Sequence, residues 1–374
     1  MKINDFKLEQ YFGEHEFSTN YLLCCSDCET ITIEELLALE PQARDSFLDS
    51  RLGYSESPGD PLLRQEISQM YSQVDGQGIL EFTGAQEAIF NFMVNALQAG
   101  DHMIAMFPNY QSTYEICRWI GCEVSHWELA QSTQGWIIDT DSLKKLIKPN
   151  TKVIAVCSPN NPTGYQLSPE QTGAITALAR QHGIMVFSDE VYRGLAENEP
   201  PPFADVYENA FSLNVLSKAY GLPGLRLGWL ASQNKPFLNI MLNFKYYISI
   251  CGAVPSQKLA IIALRHRERL FQRNREIIAG NLKYSDQFFH KYERLFQYNR
   301  QVAGPIAFHR LKINMPVADF CLDLLRQKGV LLAHGALFDM AGNYFRMGYG
   351  RKNFKECVDL LDEYADMLIE SAKI

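Results

Sequence analysis

The residues with the clearest chemical potential lie in one run, Ser217-Lys218-Ala219-Tyr220-Gly221-Leu222-Pro223-Gly224-Leu225-Arg226-Leu227-Gly228-Trp229. Most loop lysines are merely solvated, but few such loops carry glycines, a proline and an arginine at close offsets. A lysine removed from water beside a second cation loses basicity. It then becomes an amine nucleophile able to form a Schiff base with a carbonyl. Arg226, eight positions on, could grip a phosphate through two parallel hydrogen bonds. The run therefore reads as a nucleophilic amine next to an anion site.

Three further places fit such a site. Asp189 ends an apolar run, where a carboxylate is costly unless it meets a cation, although a helix N-cap would also suit it. Thr83-Gly84-Ala85-Gln86 joins an apolar run to a helical one. The free N–H groups of Ala85 and Gln86 and the helix dipole would face an anion there, a weak signal because many α/β proteins use such a turn for packing. Arg346 has the planar fork that suits a carboxylate, or equally a surface ion pair. The cysteines at 24, 25, 28, 117, 122, 157, 251, 321 and 357 form no regular framework, which argues for reduced thiols. Cys25-Ser26-Asp27-Cys28 lacks a second pair or nearby histidines and reads as an incidental loop, with no metal site expected.

These residues need a scaffold that brings strand ends together. Short β-rich runs at Ile79–Thr83, His102–Phe107, Glu123–Trp127, Lys152–Cys157, Ile184–Ser188, Ala210–Leu216 and Leu227–Ala231 alternate with helical spacing at Gln86–Gln98, Thr113–Ile120 and Pro169–His182. Several runs are apolar throughout, as when helices cover both faces of a mostly parallel sheet. The fold class is therefore α/β, with seven strands in one sheet. Pro255–Phe289 reads as one long amphipathic helix that connects two domains. Strand Pro305–Leu311, helix Val317–Lys328, strands Val330–Ala333 and Tyr344–Gly348, and a helix from Asn353 then predict a smaller α+β C-terminal domain.

The chain has 374 residues and a formal charge of −8, so no basic field favours nucleic acid or an anionic membrane. No apolar run reaches bilayer-spanning length and no leader pattern opens the chain, which predicts a cytoplasmic protein.

The Ser217–Trp229 run resembles the lysine signature of the class I/II, fold-type I pyridoxal 5′-phosphate (PLP) aminotransferases. Other matches follow the family's order. Asn161-Pro162-Thr163-Gly164 resembles its Asn-Pro-x-Gly motif, Asp189-Glu190-Val191-Tyr192 its Asp-Glu-x-Tyr motif, and Phe345-Arg346-Met347-Gly348 its carboxylate-binding arginine motif. Gly84-Ala85-Gln86 stands at its phosphate turn. The resemblance spans about Leu52 to the C-terminus and is vague over the first fifty residues.

It implies a PLP-dependent transferase fold with PLP as cofactor, and division into an N-terminal segment (1–50) packing with the small domain, a large PLP-binding domain (51–285) and a small domain (286–374). Lys218 would hold the cofactor as a Schiff base and then carry the substrate proton. Asp189 would pair with the pyridine nitrogen, Asn161 and Tyr192 with the ring hydroxyl, and Tyr110 would stack on the ring. Gly84, Ala85, Gln86, Ser217 and Arg226 would hold the phosphate, and Arg346, with Asn161, the substrate carboxylate. Lys218, Asp189 and Tyr192 are the catalytic candidates. Tyr54 would reach the phosphate of a partner chain, making the active unit a homodimer with shared sites. The implied reaction moves an amino group between an amino acid and a 2-oxo acid.

The alternatives are PLP-dependent cyclisation, elimination or oxidation, because Leu52–Gly59 and Gly84–Ala88 also resemble a branch that includes capreomycidine synthase. A PLP-binding sensor would need an added DNA-binding domain, for which this acidic chain has no room. One departure stands out. Val215 occupies the place, three before the lysine, where the family has a phosphate-binding Ser or Thr; Asn214, Ser217 or a water could substitute. Asn160 replaces a frequent His.

Overall fold

Strands that are buried on both faces need helices above and below, and that requirement shapes the chain. The computed structural model describes residues 2–133 and 135–371. Its strands begin with β1 (Ile79–Phe82), β2 (His102–Phe107), β3 (Glu123–Glu128), the hairpin β4 (Ala130–Ser132) and β5 (Gly135–Ile137), β6 (Thr151–Cys157), β7 (Met185–Asp189), β8 (Ala210–Val215) and β9 (Gly228–Ala231). Seven of them form one sheet in the order β1-β9-β8-β7-β6-β2-β3, parallel except for β9, which runs against both neighbours. Every residue of β2 and β8 is buried. On the edge strand β3 only Trp127 is, as expected where one side lacks a neighbour. Helices Ala85–Ala96, Ser112–Ile120 and Pro169–His182 follow β1, β2 and β6, each close to its expected span. The register sets Cys157 beside Asp189 and Asp189 beside Leu213. The carboxyl ends of three neighbouring parallel strands thus reach one edge, where α/β sheets bind ligands.

The C-terminal domain is a second, antiparallel sheet of β10 (Phe296–Gln297), β11 (Ile306–Leu311), β12 (Ala333–His334) and β13 (Tyr344–Gly348), ordered β10-β11-β13-β12. Helices Val317–Lys328 and Phe354–Glu370 complete it.

Two expectations need correction. The long helix is broken: Val254–Arg265 and Arg267–Lys291 meet at His266, whose backbone leaves helical geometry (φ −104°, ψ 21°). Leu259 through Leu264 are all buried, whereas beyond His266 burial narrows to a stripe through Leu270, Phe271, Asn274 and Ile278. A single straight helix could not serve a fully enclosed segment and then a one-faced one. The strand expected over Val330–Ala333 keeps only Ala333 within the sheet. Val330 instead forms a parallel bridge with Tyr21, and Leu331 N–H donates to the Tyr21 carbonyl at 2.9 Å, because the N-terminal chain occupies that edge.

That chain opens with helix Lys7–His15, an element absent from the sequence-based expectations. It touches both sheets' domains. Tyr11 Oη donates to Leu332 O (2.9 Å), Gly348 N–H to Leu23 O (2.7 Å) and Lys7 N–H to Gln111 Oε1 (3.0 Å). No helix among the described residues is long and apolar enough to cross a membrane.

Candidate active site

The loops at the carboxyl edge of the large sheet, the N-terminal helix and β13 enclose a cavity of about 370 Å³. From the large sheet, β1 delivers the Gly84 turn, β2 leads to Tyr110, β6 to Asn161, β7 ends on Asp189, and β8 leads to Ser217 and Lys218; β13 supplies Arg346 from the other side. Ala85, Gln86, Tyr110, Asn161, Asp189, Tyr192, Ser217, Lys218, Arg226 and Arg346 all line this one space.

Lys218 Nζ donates to Ser26 Oγ at 2.9 Å. Burial lowers its pKa, against the pull of Asp27 and with help from Arg346, so the amine is biased toward its nucleophilic neutral form. The Asp189 side chain is buried; its carboxylate accepts the Val191 N–H (3.2 Å) and has no ion-pair partner among the described residues. Burial raises its pKa to about 6. The Tyr192 hydroxyl, buried beside Ser26, makes no hydrogen bond of normal geometry, and burial pushes its pKa up. Arg346 is fully buried. Its Nε donates to Cys24 O and its Nη1 to Asn161 Oδ1, both at 3.0 Å, while Nη2 has no partner.

The turn before helix Ala85–Ala96 is built for close approach. Gly84 sits at φ +79°, where side chains are strained, and a Cβ there would lie 2.7 Å from Arg226 Nη2. Arg226 thus arches over a helix N-terminus whose first N–H groups have no intrahelical partner. Its Nη1 donates to Pro223 O (3.0 Å) and Ser217 Oγ (3.3 Å). Val215 lines the cavity with an apolar side chain, whereas Asn214 does not line it. Of the protein groups that could replace the contact absent at Val215, Ser217 is the one on the cavity wall. Tyr54 lies outside this cavity, 91% exposed in a groove beside Cys251–Pro255.

The loop expected to be incidental is the wall facing the lysine. Cys24 offers its carbonyl to Arg346, Ser26 its hydroxyl to Lys218, and Asp27 takes both its bonds from Arg351 Nη2 (2.8 and 2.9 Å). The thiols of Cys24, Cys25 and Cys28 are buried and burial raises their pKa values, so they are poor nucleophiles. The N-terminal helix adds Leu8, Glu9 and Phe12, and Glu16 comes just after it; Glu9 accepts from Tyr110 Oη at 2.7 Å. The spacing of Leu8, Tyr11, Phe12 and His15 was the available signal for this helix.

This architecture has known counterparts. Residues 21–361 match the family model described as aminotransferase class I and II, and the chain belongs to that family. A solved PLP-dependent aminotransferase from Streptococcus suis 89-1591 superposes with a TM-score of 0.92 at 32% identity, over 99% of both chains. Capreomycidine synthase of Streptomyces vinaceus is 25% identical over 91% of this chain and 88% of its own length. The solved PLP-dependent cyclase OrfR has a TM-score of 0.90 at 25% identity, over 98% of each chain.

The family's cofactor is pyridoxal phosphate, and the residues present fit it. An anion cradle that a Cβ would fill, a buried carboxylate without an ion pair and a buried tyrosine hydroxyl without a hydrogen bond of normal geometry are the three complements that a phosphorylated, protonated hydroxypyridine requires.

Proposed function

We propose that the protein is an aminotransferase that moves an amino group between an amino acid and a 2-oxo acid. The observation that carries this reading is the lowered-pKa amine of Lys218 in one cavity with the unpartnered Nη2 of Arg346. An amine that can shuttle a proton and a fork that can fix an α-carboxylate are what an α-amino acid needs at its Cα.

Pyridoxal phosphate supplies an aldehyde carbon for the amine and an electron-withdrawing ring. Gly84, Ala85, Gln86, Ser217 and Arg226 hold the phosphate. Asp189 would keep the ring nitrogen protonated, Asn161 and Tyr192 would donate toward the ring hydroxyl, and Tyr110 would cover the ring face. Arg346 orients the substrate carboxylate while Asn161 steadies Nη1. Lys218 Nζ would take the proton from the substrate Cα and hold it for return. A single-turnover screen of amino acids against the PLP-loaded protein, read by absorbance and product mass, tests the reading. Release of 2-oxo acids supports it; products that keep their nitrogen contradict it.

A second reading, PLP-dependent cyclisation, is favoured by the similarity to capreomycidine synthase and OrfR. It predicts a cyclic amine of unchanged nitrogen count in the same screen.

Arg346→Lys keeps the charge and loses the fork. Because one N–H has to remain on Cys24 O, it should lower kcat/KM by about 30- to several-thousand-fold, a cost of roughly 2–5 kcal/mol. Steady-state kinetics with amino acids and with amines lacking a carboxylate check this. Equal reactivity of the two donor classes in the parent protein would remove Arg346 from the substrate site.

The active unit is a homodimer in which Tyr54 serves the neighbouring phosphate. Its exposure away from its own cavity supports this. Tyr54→Phe should weaken PLP retention by about 1.5–3 kcal/mol, one hydrogen bond to a charged group. Mixing Tyr54→Phe chains with Lys218→Ala chains should restore one intact site per mixed dimer. Subunit exchange without recovered activity would show that Tyr54 does not act across the interface.

A further inference from the structure

We infer that the donor substrate is an α-amino acid whose side chain ends in a cationic nitrogen, received by Glu16 on the cavity wall. This rests on the function proposed above, which assigns the cavity's cations. Under it, Arg226 takes the phosphate, Arg346 the substrate carboxylate and Lys218 the reacting centre. Of the acids, Asp189 faces the ring nitrogen and Asp27 is held by Arg351 through both oxygens. Glu9 keeps one oxygen on Tyr110. Glu16 lines the same cavity, half-buried, with no hydrogen bond or ion pair among the described residues. It also stands at the C-terminal end of helix Lys7–His15, whose terminal carbonyls add negative potential.

The spacing sets the size of the side chain. The buried, unpartnered Nη2 of Arg346 marks where the carboxylate docks, and the Arg346 guanidinium carbon lies 5.6 Å from the centre of the Phe12 ring. Glu16 comes four residues after Phe12 and its N–H donates to the Phe12 carbonyl, so the two side chains leave one helix face with Cβ atoms roughly 5–6 Å apart. An extended aliphatic stem can run along Phe12 from the carboxylate end to Glu16, the reach of an ornithine, lysine or arginine side chain. Burial raises the Glu16 pKa, and the neighbouring charges of Asp27 and Glu9 raise it further, against the smaller opposing pull of Arg351 and Lys218.

The test compares the PLP-loaded protein's single-turnover kcat/KM for L-lysine, L-ornithine and L-arginine with that for L-norleucine and L-glutamate. Calorimetric Kd values for 2-methylornithine and 2-methylnorvaline, which have no Cα proton to lose, give an equilibrium readout. Cationic donors should exceed norleucine by about 10- to 100-fold, the scale of one charge-assisted hydrogen bond. Glu16→Gln should cut that ratio roughly tenfold, in both rate and Kd, and Glu16→Lys should shift the preference toward L-glutamate. If amino acids react but cationic side chains gain nothing, or Glu16→Gln leaves the ratio unchanged, the inference fails while the proposed function stands. If no amino acid reacts at all, the proposed function fails and the inference with it.

Discussion

Lys218→Ala should retain PLP weakly, through the phosphate groups alone, and lose amino-group transfer by about 10⁴-fold, the upper range for a positioned general base. The reason is where Lys218 sits. It is anchored three residues past the end of the buried strand β8, its amine rests 2.9 Å from Ser26 Oγ, and burial depresses its pKa. No other lysine among the described residues lines the cavity. Arg226 cannot substitute, because a guanidinium does not give up its proton near neutral pH. Single-turnover absorbance with an amino acid checks the loss. Added methylamine should recover part of the rate in the emptied space, which a purely structural role for Lys218 would not allow. Near-normal turnover in the variant would refute the assignment.

Asp189 carries the second large effect, and it can be read without turnover. Its folded pKa of about 6 lies above the ordinary carboxylate value because burial disfavours the charge. A group that binds its proton more tightly when folded costs nothing at low pH. The penalty grows as pH rises from about 4 toward 6 and is complete above that, of order 1–3 kcal/mol. A bound ring with a protonated nitrogen would cancel it. Asp189→Asn should therefore melt higher than the parent at pH 8 in the absence of PLP, yet gain less on PLP addition. Its turnover should fall roughly 10³-fold, as when a preorganised charge partner is removed. Asp189→Ala should behave likewise, and Asp189→Glu should be milder because the charge survives. Equal melting gains from PLP in parent and Asn variant would show that Asp189 merely caps the segment after β7.

The large sheet and the part of the cavity formed at its carboxyl edge were legible in the sequence because both are local. Apolar runs buried on two faces announce parallel strands, and functional residues come within a few positions of each run's end. The Asp189 and Lys218 assignments rest on such adjacency. Elements set by long-range packing were harder to read. The break at His266 depends on which faces of two helices are covered, and Val330 leaves the small sheet only because Tyr21 arrives from some 300 residues earlier. The segment around Cys24–Glu29 was expected to bear on substrate specificity, but the individual residues of the N-terminal wall were missed for the same reason. Ser26, Glu9 and Glu16 are ordinary polar residues until folding sets them against a lysine about two hundred positions away. The Cys25–Cys28 spacing drew attention to thiols, whereas the chemistry there belongs to Ser26 and to the backbone carbonyl of Cys24.

The central claim is that Lys218 holds pyridoxal phosphate through its side-chain nitrogen. Borohydride reduces the carbon–nitrogen double bond of such a link to a stable single bond, which peptide mass mapping can locate. Purified protein loaded with PLP should be yellow, lose that colour on reduction and carry the pyridoxyl phosphate mass on the peptide containing Lys218. A colourless protein that ignores added PLP, or a label found on another lysine, would contradict the account.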